Sequence, residues 1–148
     1  MESVENRQTF PVLDQVVLDT MNARGLAEFY RQLLGFVYRA GDEPPGDGKP
    51  DERGQDWLVI YHPSGSPRVA FQNVTTLKQS TWPADEIPQQ LLLDMTVPTV
   101  EEFEIQHARA LDLGASLLYD RSHDPQEPLR VYADPSGHPF CIFVAAGE

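Results

Sequence analysis

Few side chains in this chain of 148 residues are placed to do chemistry, and they do not form a familiar catalytic motif. Asp19 and Asp94 each lie in a short apolar segment, where a carboxyl group can act as an acid or a base. They can equally be structural carboxylates that bind a backbone amide or an arginine at a strand end, and such carboxylates are commoner. Cys141 stands between Phe140 and Ile142, which favours a buried, inert thiol over a nucleophile.

The four histidines do not have metal-ligand spacing to one another. His107 falls on the apolar side of a predicted helix, whereas His62 and His123 fall in predicted turns. His138 follows an Asp-Pro-Ser-Gly turn, which we expect it to brace. Gly-rich phosphate loops, Ser-His-Asp arrangements and Cys-x-x-Cys pairs are absent from the sequence.

Composition limits the class of protein and of partner. The hydrophobic share of 41% predicts a globular protein, and 148 residues suffice for one domain with its own core. A net charge of −12 would repel phosphate backbones and anionic lipids, so we expect neither nucleic acid nor membrane as a partner. The single cysteine excludes an internal disulfide. With no signal-peptide pattern and no long apolar run, the sequence predicts a cytoplasmic protein.

The first half of the chain predicts one strand, one helix and three further strands. Residues 10–20 alternate with a period of two, which places Gln15, Val17 and Asp19 on one strand face. Asn22 can cap a helix whose apolar stripe runs from Leu26 to Leu34 and which Gly35 ends. Three further strands are predicted at Phe36–Arg39, Trp57–Tyr61 and Arg68–Val74, of which the last two form a hairpin.

The second half repeats this order. A strand at Leu91–Val97 precedes a helix that Thr99 caps and Gly114 ends. Three more strands follow, at Ser116–Asp120, Leu129–Ala133 and Phe140–Val144. The sequence therefore predicts an α+β fold of two βαβββ modules that pair their sheets into a curved half-barrel with a concave pocket. We assign residues 1–9 to a loose N-terminus and residues 10–148 to a single domain made of module 10–74, linker 75–89 and module 90–148.

Residues 41–55 are rich in Pro, Gly, Asp and Glu and have no periodicity, which predicts an exposed loop. Such a loop is either a solvated connector or a lid over a pocket. The composition favours the connector, since most long loops have no role beyond connection.

Three stretches of the chain resemble a known superfamily. They are Val16-Val17-Leu18-Asp19 with Phe29-Tyr30-Arg31-Gln32-Leu33-Leu34-Gly35-Phe36, then Gln90 to Gly114, and then Asp134-Pro135-Ser136-Gly137-His138-Pro139-Phe140-Cys141. Together with the repeated order of elements, they are similar to the vicinal oxygen chelate superfamily, which contains glyoxalases, bleomycin resistance proteins and extradiol dioxygenases. The resemblance is to its glyoxalase-like branch. It covers Phe10 to Val144 and implies the fold but not the reaction, since this fold carries many functions.

The resemblance also implies where a metal would bind. Metal-dependent members place a ligand on the first and the last strand of each module, and those positions fall on Gln15, Gln72, Leu92 and Cys141. Two amides, one thiol and an aliphatic side chain make a poor site for a divalent cation. We therefore expect no cofactor and disfavour a divalent metal, although a shifted site that uses Asp19, Asp94 or His138 stays open.

The expected function is to bind a small organic molecule in the concave cup. The expected ligand-binding residues are the four family positions, one carboxylate and three aromatic residues in flanking strands: Gln15, Gln72, Leu92, Cys141, Asp94, Trp57, Tyr61 and Tyr132. One alternative is a lyase or isomerase with a noncanonical metal site or with Asp19 or Asp94 as the acid-base group. A weaker alternative is an inactive relative with a filled cup. The resemblance also implies a homodimer.

Overall fold

The computed structural model describes residues 10–145, so the predicted loose N-terminus, residues 1–9, lies outside the described residues. Eight strands and two α-helices follow the predicted order. They are β1 Val16–Thr20, α1 Ala23–Leu34, β2 Val37–Tyr38, β3 Trp57–Tyr61, β4 Arg68–Asn73, β5 Leu93–Val97, α2 Val100–Leu113, β6 Ser116–Arg121, β7 Leu129–Ala133 and β8 Pro139–Val144. A short 3₁₀ helix, Arg53–Gln55, lies between β2 and β3. No helix among the described residues has the length and apolar character needed to cross a membrane.

Both helices begin and end at the predicted signals. The side chain of Asn22 accepts a hydrogen bond from the Gly25 amide at 3.0 Å, and the Thr99 hydroxyl accepts one from the Glu102 amide at 3.1 Å. Each helix ends at a glycine with positive φ, 69° at Gly35 and 117° at Gly114. Only glycine adopts this conformation without steric cost, so these residues fix both helix ends.

The strands form two four-stranded sheets of identical topology, ordered β1-β4-β3-β2 and β5-β8-β7-β6. In each sheet the first and last strands of the module pair in parallel, and the remaining neighbours pair antiparallel. This is the predicted pair of βαβββ modules in an α+β fold. The fold prediction is thus confirmed.

One continuous core joins the two modules. Tyr30 of α1 is fully buried, and its ring stacks on Phe71 of the first sheet with centroids 6.0 Å apart. The same ring meets Phe140 of the second sheet edge-on at 5.9 Å. Helix α1 therefore packs its apolar stripe against both sheets, and burial of these aromatic rings holds the modules together.

Polar contacts also fasten the turn between β7 and β8 to the first module. The Tyr30 hydroxyl donates to Asp134 Oδ2 at 2.6 Å in a buried position. Thr20 and Ser136 share a hydrogen bond between their hydroxyl groups at 2.8 Å. Asp134 Oδ1 accepts from the backbone amides of Ser136 and His138, which shapes the turn. This turn therefore lies at a fixed position beside the end of β1.

Strands β1 and β5 are shorter than predicted. β1 begins at Val16, and the preceding apolar residues Phe10 and Leu13 are 74% and 90% exposed. β5 begins at Leu93 because its register would pair Leu92 with Pro139, which has no amide hydrogen to donate. Alternating polarity indicates a strand only where a partner strand can supply hydrogen bonds, and here the partners end.

The loop at residues 41–55 is fastened to the outer side of the first module. Asp42 is fully buried, and its carboxylate accepts hydrogen bonds from Arg39, Arg53 and the Val59 amide. Asp51 forms a second ion pair, with Arg24 at 2.8 Å. This network ties the predicted loop to α1 and β3 and agrees with a connector.

Candidate functional site

The register of the strands determines which side chains share the concave face of each sheet, the face opposite the helices. In the first sheet Asp19, Gln72 and Trp57 pair across β1, β4 and β3. In the second sheet Asp94 pairs with Cys141, and Cys141 pairs with Val131. Paired residues point to the same side of a sheet. Each concave face therefore has a row of paired residues that begins with a carboxylate, Asp19 in the first sheet and Asp94 in the second.

A cavity of about 490 Å³ lies against the concave face of the first sheet. We call it the cup cavity. Its walls come from β1 and β4, from the start of β8, and from the segment that links the modules. The lining residues are Val17, Leu18, Asp19, Gln72, Leu77, Lys78, Ser80, Ile87, Pro88, Gln89, Gln90, Leu91, His138 and Pro139.

The predicted site residues separate into groups. Asp19 and Gln72 line the cup cavity. Gln15 lies immediately before β1, and its Oε1 atom is buried without a hydrogen-bond partner among the described residues. Leu92 lies immediately before β5 and is 37% exposed. Neither Gln15 nor Leu92 lines the cavity. Both modules contribute other residues to its wall.

The three aromatic residues lie outside the cup cavity. Trp57 and Tyr61 are on the concave side of β3, and Tyr61 lines a separate groove of about 550 Å³ at the outer edge of the first sheet. The expectation that Tyr132 lines the cup is wrong. Its side chain is fully buried on the helix side of β7, where it stacks on Phe140 with centroids 5.1 Å apart and its hydroxyl bonds to His107 at 2.7 Å.

The outer groove is larger than the cup cavity but chemically less suited to a ligand. Its charged residues already bind one another, since Glu28 accepts two hydrogen bonds from Arg31 and one from the Tyr38 hydroxyl. It lies beside the edge strand β2 and belongs to one module alone. The cup cavity contains residues from both modules, so we take it as the candidate site.

Cys141 is buried, with 2% of its surface exposed. Burial, together with the neighbouring Asp94 carboxylate, raises the pKa of its thiol to about 12. A thiol in this environment stays protonated at neutral pH. It is therefore not an activated nucleophile.

Part of the linker approaches the concave side of the second sheet. The indole ring of Trp82 packs edge-on against Tyr119 with centroids 6.3 Å apart. Tyr119 pairs with Val131, which in turn pairs with Cys141, so all three belong to one row. Through this contact the linker covers the row of paired residues that contains Cys141. The row that contains Asp19 and Gln72 in the first sheet borders the cavity instead.

The family's metal positions do not fit a metal ion in this chain. Leu92 has no donor atom, Gln15 and Gln72 offer neutral amides, and Cys141 offers a single buried thiol. Divalent cations require charged or strongly basic donors that converge on one point. Within residues 10–145 no three His, Cys, Asp or Glu side chains come together as a candidate metal site. This donor set gives no support to a shifted site either.

Sequence reasoning missed most of the cavity wall. The linker 75–89, interpreted as a connector, supplies six lining residues and the adjoining Gln90 and Leu91 two more, whereas loop 41–55 supplies none. The linker holds its shape through a closed turn in which the amide of Thr81 donates to the carbonyl of Ile87 at 2.7 Å. The apolar residues Leu77 and Ile87 were the available signal, because a solvated connector has little use for them.

His138 was expected only to brace its turn, but it also lines the cup cavity. Its Nε2 atom lies 2.6 Å from the backbone carbonyl oxygen of Asp19. The sequence could not place it there, because the contact joins residues from different modules.

Comparison with known proteins identifies the family and the fold. The family model of the glyoxalase-like domain matches residues 15–143. A comparison with curated proteins finds no match. A glyoxalase/bleomycin resistance protein/dioxygenase family enzyme from Burkholderia phytofirmans has a similar structure, with a TM-score of 0.63 and 17% identity, over 88% of this chain and 96% of that chain.

The fosfomycin resistance protein FosX from Listeria monocytogenes is also similar in fold. Its TM-score is 0.66 at 11% identity, over 93% of this chain and 96% of that chain. A variant of the same protein was solved with Mn(II) and 1S,2S-dihydroxypropylphosphonic acid, and it matches with a TM-score of 0.64 at 13% identity, over 93% of this chain and 95% of that chain. At such identities the likeness concerns the fold alone.

Proposed function

The chain belongs to the glyoxalase-like domain family, and from this membership and the cup cavity we propose that it binds a small organic molecule without the metal ion of metal-dependent relatives. The observation that carries the proposal is a cavity of about 490 Å³ whose wall combines both modules and the linker. This volume lies within the range of about 300 to 1,000 Å³ that is usual for ligand pockets.

The lining has the composition of a ligand site. Apolar side chains such as Val17, Leu77 and Ile87 can exclude water from a bound molecule, while a smaller number of polar groups can orient it. Gln72 and Asp19 are two such groups on neighbouring strands. FosX, which has a similar fold and was solved with Mn(II) and a phosphonic acid, supports a small-molecule ligand for this fold but does not name the ligand of this chain.

A cavity-blocking substitution tests the proposal. Val17→Trp places an indole ring in the cup cavity and should abolish binding of Nile red, an uncharged dye that fluoresces in apolar surroundings. Val37→Trp is the matched control, since Val37 lines the outer groove and is 43% exposed, against 39% for Val17. Equal dye binding by both folded variants and the unsubstituted protein would contradict the proposal.

Metal analysis tests the second half of the proposal. We expect the purified protein, after dialysis without chelator, to contain far less than one equivalent of Zn, Mn, Fe or Ni, because the donor set is neutral. One equivalent of tightly bound metal that is lost in Gln72→Ala or Cys141→Ala would overturn the metal-free assignment. Thermal unfolding of each variant serves as the control for folding.

A second candidate is a lyase or isomerase that uses Asp19 as its acid-base group. The observation in its favour is that Asp19, unlike Asp94, lines the cup cavity. Such an enzyme would exchange a carbon-bound proton next to a carbonyl group. Incubation with small dicarbonyl compounds in D₂O, followed by NMR, would detect this exchange, and its persistence in Asp19→Asn would exclude the role.

Homodimer formation is also part of the proposal. The segment before β1 has three strongly exposed apolar residues, Phe10, Val12 and Leu13, which a second subunit could cover. Sedimentation velocity measures the state directly, and a monomer at all concentrations would refute it.

A further inference from the structure

One nitrogen of the His138 ring has its role fixed by geometry. Nε2 lies 2.6 Å from the carbonyl oxygen of Asp19, which can only accept a hydrogen bond, so Nε2 carries the proton and donates. In the neutral ring the other nitrogen, Nδ1, is then an acceptor with a free lone pair. Among the described residues Nδ1 has no hydrogen-bond partner, and His138 lines the cup cavity.

Gln89 supplies a second acceptor at the same cavity. Its Oε1 atom is buried and has no hydrogen-bond partner in the part of the chain that the structure describes. A buried amide oxygen without a partner is unfavourable, and a donor that enters the cavity would relieve that cost. Two cavity residues, one from the linker and one from the turn before β8, thus each have an unused acceptor.

The charges of the cavity do not favour an anion. Lys78 and Asp19 are the charged side chains in the lining, apart from the ionisable His138, and their formal charges cancel. The chain as a whole has a net charge of −12, which repels anions from its surface. Most of the remaining lining is aliphatic or proline, including Leu77, Ile87 and Leu91.

We infer that the cup cavity selects an uncharged, largely apolar molecule with a hydroxyl or N–H group that donates to His138 Nδ1 or to Gln89 Oε1. This inference rests on the proposed function, because it names the class of ligand that the same cavity takes. It sets this chain apart from a protein that binds phosphonates or carboxylates. The acceptors recognise the polar group of the ligand, and the aliphatic wall encloses the rest.

Three probes on one carbon frame test the inference. 2-Naphthol offers a donor, 2-methoxynaphthalene has the donor blocked, and 2-naphthoate is an anion. We expect 2-naphthol to bind about 5-fold more tightly than the methyl ether, as one net hydrogen bond provides, and naphthoate to bind most weakly. Displacement of Nile red, with calorimetry as a second method, measures the three dissociation constants.

Substitutions assign the acceptors. Gln89→Met removes the amide oxygen at similar volume and should reduce the preference for 2-naphthol over its ether, while Gln126→Met, at an exposed position outside the cavity, should keep it. His138→Leu should reduce the preference in the same way, with circular dichroism as the check on folding. If His138→Leu does not fold, the comparison of the three probes on the unsubstituted protein still tests the inference.

The outcomes separate the inference from the proposed function. Equal binding of 2-naphthol and its ether, or tighter binding of naphthoate, would overturn the inference and leave the binding function standing. If neither Nile red nor any of the three probes binds, the proposed function itself is wrong, and the inference falls with it.

Discussion

Tyr30→Phe removes a single hydroxyl group from the contact that joins the two modules. In the native protein this hydroxyl donates to Asp134 Oδ2 at 2.6 Å, and both groups are buried. Burial raises the pKa of the Tyr30 hydroxyl well above its usual value, and the Asp134 carboxylate raises it further, so the hydroxyl remains a donor. The substitution leaves Oδ2 of Asp134 without that donor, while Oδ1 keeps the amides of Ser136 and His138.

The magnitude follows from burial. Loss of a buried hydrogen bond to a carboxylate costs about 1.5–3 kcal/mol, because the carboxylate oxygen loses its partner and water does not replace it. In a domain of about 150 residues, about 2 kcal/mol lowers the melting temperature by roughly 4–8 °C. The rings of Tyr30 and Phe71 can still stack, so the aromatic packing should survive.

Tyr38→Phe is the matched control. Its hydroxyl also donates at 2.6 Å, to Glu28 Oε2, but the contact is part-buried, and Glu28 keeps two hydrogen bonds from Arg31. Water can replace the lost donor there, so we expect Tyr38→Phe to lower the free energy of unfolding by less than about 1 kcal/mol. Urea unfolding followed by circular dichroism measures both values. A cost for Tyr30→Phe below about 0.5 kcal/mol, or one no larger than that of Tyr38→Phe, would refute the reasoning.

The pH dependence of the Tyr30→Phe effect has a defined sign. Burial raises the pKa of Asp134 above its usual 3.8, so its net contribution to stability is present at low pH and is lost as pH rises through the folded pKa. The hydrogen bond from Tyr30 acts in the opposite direction, because it lowers this pKa. The difference between native protein and variant should therefore be largest above the folded pKa of Asp134 and shrink as pH falls through it. A difference that grows on acidification would contradict this assignment.

Two further predictions concern buried groups. The pKa of the Cys141 thiol is raised to about 12, so its thiolate fraction at pH 8 is roughly 1,000-fold below that of an ordinary thiol. Iodoacetamide should therefore modify the native protein at least about 100-fold more slowly than the urea-unfolded chain. Rates within a factor of about 10 would contradict the burial of this thiol. Asp42→Asn weakens two ion pairs at a fully buried carboxylate and should cost about 1–3 kcal/mol in urea unfolding, whereas Asp124→Asn, at a surface turn, should cost almost nothing. If Asp42→Asn leaves the free energy of unfolding unchanged, this ion-pair network does not hold the 41–55 loop.

Local patterns predicted the elements of the fold correctly. The helix caps at Asn22 and Thr99 and the terminal glycines Gly35 and Gly114 lie where expected, because caps and positive φ depend on neighbours within about four residues. The errors are at the starts of β1 and β5. These boundaries depend on where β4 and β8 stop offering partners, and a single strand's polarity pattern does not contain that information.

The candidate site was less accessible to sequence reasoning. The period of two placed Asp19 on a concave face and the family resemblance placed Gln72 there, and the strand pairing brings the two together. It could not establish that Tyr132 faces helix α2 or that the 77–91 segment forms a cavity wall. Side-chain direction in β7 depends on which face α2 covers, and the path of an irregular segment depends on contacts such as Trp82 with Tyr119.

The sequence by itself determined the repeated order of elements, the ends of both helices and the poor donor chemistry of the family's metal positions. These follow from residue types and from spacings of a few residues. Only the tertiary structure decided that the linker, and not the 41–55 loop, encloses the cavity, and that His138 lines the same cavity with its Nε2 atom at the Asp19 carbonyl oxygen. Such contacts join residues that are far apart in the chain, 119 positions for His138 and Asp19, and packing of the two modules against one shared core sets them.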